Sequence, residues 1–399
     1  MSIDKTTDVG SFRSAVRAFV TEHAPRSDVR DGLRVPADPT EEQGLRRWYA
    51  ALFDAGLLGG GWPPRWGGDP AHRAEHDTVV MEELIRARAP RPLDQTLLAA
   101  HCLIAFGTEE QQAGFLPRIR SAEHVWCQLF SEPGVGSDLA ALTTRAEPLA
   151  DGSGFRVTGQ KVWTTDAQWA QMGVLLARTD PSARLQAGIT AFLLPMDAPG
   201  VEVRPLREMT GSAEFCEVFL DGVEVSNDLV LGAVDDGWSV VSSGLSSERG
   251  YVGANAVQLD VMHDDLVALA RVLEIDGRPA IEWDDVRDRL ASLAAEVAAV
   301  RTSAARATGR LGSGTPSGAE ALVAKLAYTE LNVELCQAAV DLISSGRGTG
   351  DTFAALRDNW FHSLLWSRAL TISGGSSEII RSLVAQQLLG LPRSWARTS

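Results

Sequence analysis

Four short stretches hold groups that could do chemistry. In WCQLFSEPGVGSDLA, residues 126–140, the hydroxyls of Ser131 and Ser137 flank Pro133, Gly134 and Gly136. Those glycines and the proline set a tight turn whose backbone N–H groups suit an anionic or heteroaromatic ligand, although an ordinary structural turn has the same spacing. No Gly-Lys-Ser/Thr follows and no βαβ unit surrounds it, so neither a P-loop nor a dinucleotide fingerprint is present. In GQKVWTTDA, residues 159–167, Trp163 can wall a flat ring while Thr164 and Thr165 supply hydrogen bonds, yet tryptophan is also a common core residue. ISGGSSEIIR, residues 372–381, sets Gly374, Gly375, Ser376, Ser377 and Glu378 just before an apolar helical pattern. Finally, GLSSERGYVGA, residues 244–254, carries the adjacent acid and base Glu248 and Arg249, which alone read as an exposed or ion-paired helix face.

The histidines and cysteines form no competing centre. His101, His124 and His362 lack metal-ligand spacing, and no GxSxG elbow accompanies them, so packing or surface roles are expected and no metal is assigned. The four cysteines, Cys102, Cys127, Cys216 and Cys336, contain no CxxC pair and are expected to be buried free thiols. A net charge of -15 without a run of basic residues argues against nucleic acid. With 45% hydrophobic residues and no apolar stretch near the roughly 18 residues of a membrane span, no membrane insertion is expected. The start MSIDKTTDVGSFR lacks a signal peptide's basic and apolar regions, which points to the cytoplasm.

Which elements position these stretches follows from periodicity. Residues 1–123 read as an N-terminal helical domain: Phe12, Val16 and Phe19 repeat at helical spacing, as do Leu45, Trp48 and Leu52, and Asp38-Pro39-Thr40-Glu41-Glu42 is a helix start. Gly59 to Pro70 interrupt the pattern, which returns with Val79, Met81, Leu84 and Ile85. Residues 124–235 change to short apolar runs and alternation, at 155–157, 172–176, 189–194 and 216–220, the last ending at an Asp221-Gly222 turn. A β-barrel or sandwich domain is predicted there. From 236 to 399 the helical period returns; Val286, Leu290, Leu293, Val297 and Val300 mark one helix of a C-terminal four-helix bundle. The fold class is therefore α+β and multidomain.

The EPGVGSD loop, the WTT segment and the ISGGSSEIIR turn, in that order within a helix-β-helix chain that carries RSLVAQQLLGLPR near its C-terminus, resemble the acyl-CoA dehydrogenase family of flavoproteins over nearly the whole chain. The resemblance implies FAD. It implies that Leu129, Phe130 and Ser131 line the pyrimidine side of the flavin, that Trp163, Thr164 and Thr165 pack against its ring, and that Ser376 and Glu378 lie at its phosphates or adenosine. It further implies that Ser137 approaches the carrier of the acyl thioester, with Arg249 and Gly375 at the substrate. A homo-oligomer, dimer or tetramer, and electron transfer to an electron-transfer flavoprotein are also implied.

The family reaction removes an α-proton with a carboxylate while the β-hydrogen leaves as hydride, giving a trans-2-enoyl thioester. Many members carry that base in the turn before the last helix, where this chain has Gly374. Other members place it about 120 residues earlier, at the acid of a Glu-Arg pair, a spacing taken from the resemblance and not from a physical rule. The matching acid here is Glu248, and a buried Glu beside an apolar chain has a raised pKa suited to proton abstraction. The N–H of Gly374 would polarise the thioester carbonyl. Two segments depart from the family pattern, 276–293 and 344–350; Arg278 or Arg347 could there contact phosphate or simply be solvated. The expected activity is α,β-dehydrogenation of an acyl-CoA or acyl-carrier-protein thioester. Its rivals are a flavin-dependent monooxygenase on the same fold and a non-catalytic partner subunit of a mixed tetramer.

Overall fold

The computed structural model describes residues 3–25, 36–250, 255–312, 318–348 and 350–392, with the side chains of 246–250, 308–312, 318–319 and 352 outside that description. Helices come first: α1 Val9–His23, α2 Pro39–Asp54, α3 Ala74–Arg86, α4 Asp94–Phe106 and α5 Glu109–Arg120. Strands follow, β1 Trp126–Leu129, β2 Arg145–Pro148, β3 Gly154–Thr165, β4 Met172–Arg178, β5 Ile189–Pro195, β6 Val201–Leu206, β7 Phe215–Ser226 and β8 Val230–Leu231. Helices return as α6 Gly237–Gly250, α7 Val257–Val272, α8 Asp284–Gly312, α9 Gly318–Ser345, α10 Gly350–Leu370 and α11 Ser377–Gln387, with a small hairpin of β9 Glu274–Ile275 and β10 Arg278–Pro279 after α7. The helical, β, helical order matches the expectation. Among the described residues no helix is long and apolar enough to cross a membrane.

The chain folds into two compact units. One contains residues 1–3, 33–72 and 92–248, the other 4–32, 73–91 and 249–399. In the first, the strands form one eight-stranded sheet in the order β6-β7-β3-β2-β4-β5-β8, with β1 parallel to β4. Both β4 and β5 are buried on both faces, which explains their unbroken apolar runs. Asp38 caps α2, its carboxylate accepting from the N–H groups of Thr40 and Glu41 at 2.8 and 2.9 Å. Thr108 and Gln111 close a reciprocal capping box on α5.

One expectation needs correction. Asp221-Gly222 is no hairpin turn: β7 runs straight through it from Phe215 to Ser226. The ladder with β3 jumps from Val157↔Val223 to Gly159↔Leu220, so Asp221 and Gly222 together face Thr158 as a bulge. Gly222 takes φ 65°, a conformation that suits glycine in a bulge as well as in a hairpin. The dipeptide signal is shared by both, and the long partner strand β3 decides between them.

In the second unit, α1 packs on α3, with Arg13 and Arg17 donating to Glu83 at 2.9 and 2.8 Å. The bundle core joins Leu259, Met262, Leu266 and Leu269 of α7, Leu290, Leu293, Val297 and Val300 of α8, Leu331, Leu335 and Ala339 of α9 and Trp360 of α10. The α8 residues are those singled out by their spacing. Leu335 is wholly buried, so Leu335→Ala is expected to cost about 2–5 kcal/mol through lost transfer energy and a residual cavity. A lower urea midpoint at unchanged slope checks this.

Candidate functional site

The first-unit residues flagged by sequence gather around the end of β1 and the end of β3. Leu129 closes β1 opposite Leu175 of β4, and the side chains of Leu129 and Phe130 are buried, so a ligand there meets backbone. The segment is held by a pair that sequence reasoning passed over. Lys161 of β3, with no solvent exposure, places its Nζ 2.9 Å from Glu132 Oε1 and 3.1 Å from the Phe130 carbonyl. Glu132 also accepts from Thr143 N–H and hydroxyl, both at 2.7 Å, and from Thr144 N–H at 2.8 Å. The Val162 N–H donates to the Ser131 carbonyl at 2.9 Å.

Burial alone would raise the Glu132 carboxyl, but the Lys161 ammonium and the bonds from Thr144, Lys161 and Thr143 outweigh it and hold the carboxyl at about 2. Burial draws the Lys161 ammonium down to about 8 against the attraction of Glu132. Both groups are therefore charged at neutral pH. Signals for the pair existed: Glu132 opens the EPG turn, and Lys161 shares the inward parity of Phe155 and Val157 along β3.

Reciprocal backbone bonds between Glu132 and Val135, both 2.9 Å, close the turn. A Cβ built on Gly134 or Gly136 meets nothing within 4 Å, and neither has a positive φ. The chain's own packing does not require glycine at these positions, which leaves room for close approach by a ligand. Ser137 is exposed beyond them.

At the end of β3 the ladder slips again, from Lys161↔Val218 to Thr164↔Cys216. In that bulge Trp163 takes φ 60°, and its ring stands 61% exposed, edge-on to Phe215 with centroids 6.0 Å apart. A bulky residue held left-handed with its apolar ring in solvent is a strained arrangement of the kind found at ligand sites. Beside it, Thr164 is fully buried and its hydroxyl lacks a partner among the described residues, while Thr165 is 7% exposed. An exposed aromatic face, a buried unpaired hydroxyl and an uncrowded glycine turn fit a flat heteroaromatic group with anionic parts.

The second unit holds the turn after α10. Gly374 and Gly375 have φ 63° and 102°, and a Cβ on Gly375 would come 3.1 Å from Ile380 Cδ1. Lys325 of α9 donates to the Gly375 carbonyl at 2.7 Å and to that of Leu370, the last residue of α10, at 3.2 Å. Ser376 caps α11, its hydroxyl accepting from Ile379 N–H at 3.4 Å, and Ser377 N–H donates to the Thr371 carbonyl at 2.9 Å. The exposed Glu378 carboxyl is held below its usual range by its own backbone N–H and the Ser376 hydroxyl.

The backbone of α6 carries Glu248 and Arg249, whose side chains lie outside the described residues. Earlier on that helix, Ser243 Oγ lies 2.9 Å from His101 Nε2 of α4. Burial lowers the His101 and His124 pKa values. The four cysteines are buried free thiols, as expected. Arg278 stacks on Trp283 and is half exposed, and the Arg347 backbone pairs with Glu274.

Comparison with known proteins adds a family. Family models described as the N-terminal, middle and C-terminal domains of acyl-CoA dehydrogenase match residues 6–123, 127–223 and 235–389. The chain is 39% identical over 391 residues to acyl-CoA dehydrogenase IpdE1 of Mycobacterium tuberculosis, covering 97% of this chain and 98% of that protein. It is 40% identical to FadE34 of the same organism, covering 97% of this chain but 49% of that longer protein. The solved Tcur3481-Tcur3483 steroid ACAD superposes with a TM-score of 0.85 at 28% identity, covering 98% of this chain and 100% of that one.

Removing one member of the Glu132–Lys161 pair strands the other as a buried charge. Lys161→Met is expected to destabilise by about 3–5 kcal/mol, whereas replacing both partners by apolar residues recovers much of the loss. Because the folded carboxyl titrates at about 2, below its ordinary 4.5, the Glu132 contribution is present above pH 4.5 and is lost as pH falls through 2. Urea unfolding of wild type, single and double variants at pH 7 and pH 3 measures both effects.

Proposed function

Because the chain belongs to the acyl-CoA dehydrogenase family of oxidoreductases, we propose that it catalyses FAD-dependent α,β-dehydrogenation of an acyl-CoA thioester to the trans-2-enoyl product, with Glu248 as base. The observation that carries the reading is Trp163, held 61% exposed in a left-handed backbone beside the unpaired, buried Thr164 hydroxyl. The residues that would hold the isoalloxazine are Leu129, Phe130 and Ser131 through their backbone and hydroxyl, with Trp163, Thr164 and Thr165 against the ring. Ser376 and Glu378, at the start of α11, are assigned to the phosphates or adenosine. When bound, FAD supplies the hydride acceptor.

The chain's own residues supply the rest. Glu248 takes the α-proton, and its family position on α6 answers the lack of a carboxylate at Gly374. The Gly374 N–H donates to the thioester oxygen and stabilises the enolate-like charge that develops there, while Gly375 and Arg249 line the substrate. Ser137 meets the carrier portion of the thioester. The three-part division at 1–123, 124–235 and 236–399, a cytoplasmic location, a homo-oligomer of dimer or tetramer type and an electron-transfer flavoprotein as acceptor complete the reading.

A second reading is a partner subunit without its own turnover. It is favoured by the missing acid at Gly374 and by the ChsE4-ChsE5 complex from Mycobacterium tuberculosis, one chain of which superposes on this one with a TM-score of 0.81 at 27% identity.

Anaerobic titration of the FAD-loaded protein with short, branched, long and polycyclic acyl-CoA thioesters tests both. The polycyclic arm follows from the steroid ACAD similarity. Bleaching of the oxidised flavin band by at least one thioester is expected, with the rate in Glu248→Gln down by about 10²-fold or more, the scale of a lost general base. Equal rates in the two proteins would remove Glu248 from the mechanism, and absence of bleaching until a second homologous chain is added would favour the partner reading.

A further inference from the structure

Directly after Thr165 stands an acid that the mechanism does not use. Asp166 is wholly buried and, like Trp163, has a left-handed backbone, φ 61°. Its N–H donates to the Glu214 carbonyl at 3.1 Å, and its own carbonyl accepts from the N–H groups of Trp169 and Ala170, both at 3.1 Å. Oδ1 accepts from Trp169 Nε1 at 3.0 Å, while Oδ2 is buried with no partner among the described residues. Resting on the flavin reading above, we propose that Asp166 is a positioning residue of the cofactor-facing turn. Its carboxyl pins Trp169 and its peptide pins the exit of β3, so that Trp163, Thr164 and Thr165 are presented to the isoalloxazine in one conformation.

A simple left-handed turn would be served as well by asparagine, which tolerates that backbone and offers the same oxygen to Trp169. The acid differs in carrying a removable proton. The titratable groups that face it are Asp94 at the start of α4, Cys127 of β1 and Cys216 of β7, and Glu208 in turn faces Cys216. None of these supplies a positive charge to offset an ionised Asp166. Burial raises the carboxyl to about 7; the bond from Trp169 opposes this and Asp94 adds to it.

The folded-state value lies above the ordinary 3.8, so the contribution of Asp166 is full below 3.8 and is lost as pH rises through 7. Once ionised, the buried carboxylate has no counter-charge among the described residues, and the turn it holds gives way. Protonated, the group makes the same bond to Trp169 without that cost.

The test follows FAD affinity, not turnover. Protein purified with FAD is diluted at pH 6.0 to 8.5, and release is read from recovered flavin fluorescence in wild type, Asp166→Asn and Asp94→Asn. Wild type is expected to weaken by about tenfold across that range, as linkage to one proton allows, while Asp166→Asn shows a flat profile. Asp94→Asn should move the wild-type midpoint to lower pH, because the neighbouring negative charge that helps to raise the Asp166 carboxyl has gone. Thermal melts of the FAD-free proteins at pH 6 separate misfolding from altered binding; if Asp166→Asn melts early, the Asp94→Asn profile decides. Equal slopes in wild type and Asp166→Asn, or an unmoved midpoint in Asp94→Asn, overturn the assignment of Asp166 alone. Absence of FAD binding by every protein overturns the dehydrogenase reading and this proposal with it.

Discussion

The buried pair of Glu132 and Lys161 is the contact on which the first-unit site depends. A lysine without solvent exposure is tolerated because one carboxylate and one carbonyl accept its hydrogen bonds, and that carbonyl belongs to Phe130, at the head of the glycine turn. The carboxylate in turn draws in Thr143 and Thr144, so three backbone segments converge on two charges. Such a pair adds little net stability over an apolar replacement, but it fixes geometry, since few arrangements satisfy both charges. The second unit uses the same device in simpler form: Lys325 binds the two carbonyls that bracket the Gly374 turn.

Fixed scaffolding permits local strain. Two bulges in the β3–β7 ladder and two left-handed residues, Trp163 and Asp166, would be unfavourable in a free hairpin. They persist because β3 and β7 pair along their whole length and because Glu214 and Trp169 bind the peptide of Asp166 on both sides. The result is an indole exposed to solvent from a left-handed backbone, its edge against Phe215.

Much of this was legible in the chain. Helical spacing in α8 and the Asp38 start of α2 reappear residue for residue, because a stripe repeating at three and four has only one way to be buried. The apolar runs of β4 and β5 were legible for the same reason. The Asp221-Gly222 bulge was misread because a short-range turn signal does not carry the length of the partner strand. Lys161 and Asp166 were overlooked because a charged letter reads as surface unless its parity along the strand is followed and a partner is found some thirty positions away in sequence, as Glu132 is for Lys161. The roles given to Glu248, Gly374 and Ser137 came from family resemblance alone, and no spacing rule would have produced them.

The open space around Gly134 and Gly136 bears on how such a loop is kept over time. Neither residue is demanded by φ or by contact with its own chain. Alanine at either position would trim the freedom of the unfolded chain and leave the empty fold as stable as before, or slightly more so. Folding alone does not call for glycine at these two positions, which leaves close approach by a ligand as the use for it. A library sorted by thermal resistance would accumulate replacements at 134 and 136, while the same library sorted by cofactor retention would discard them.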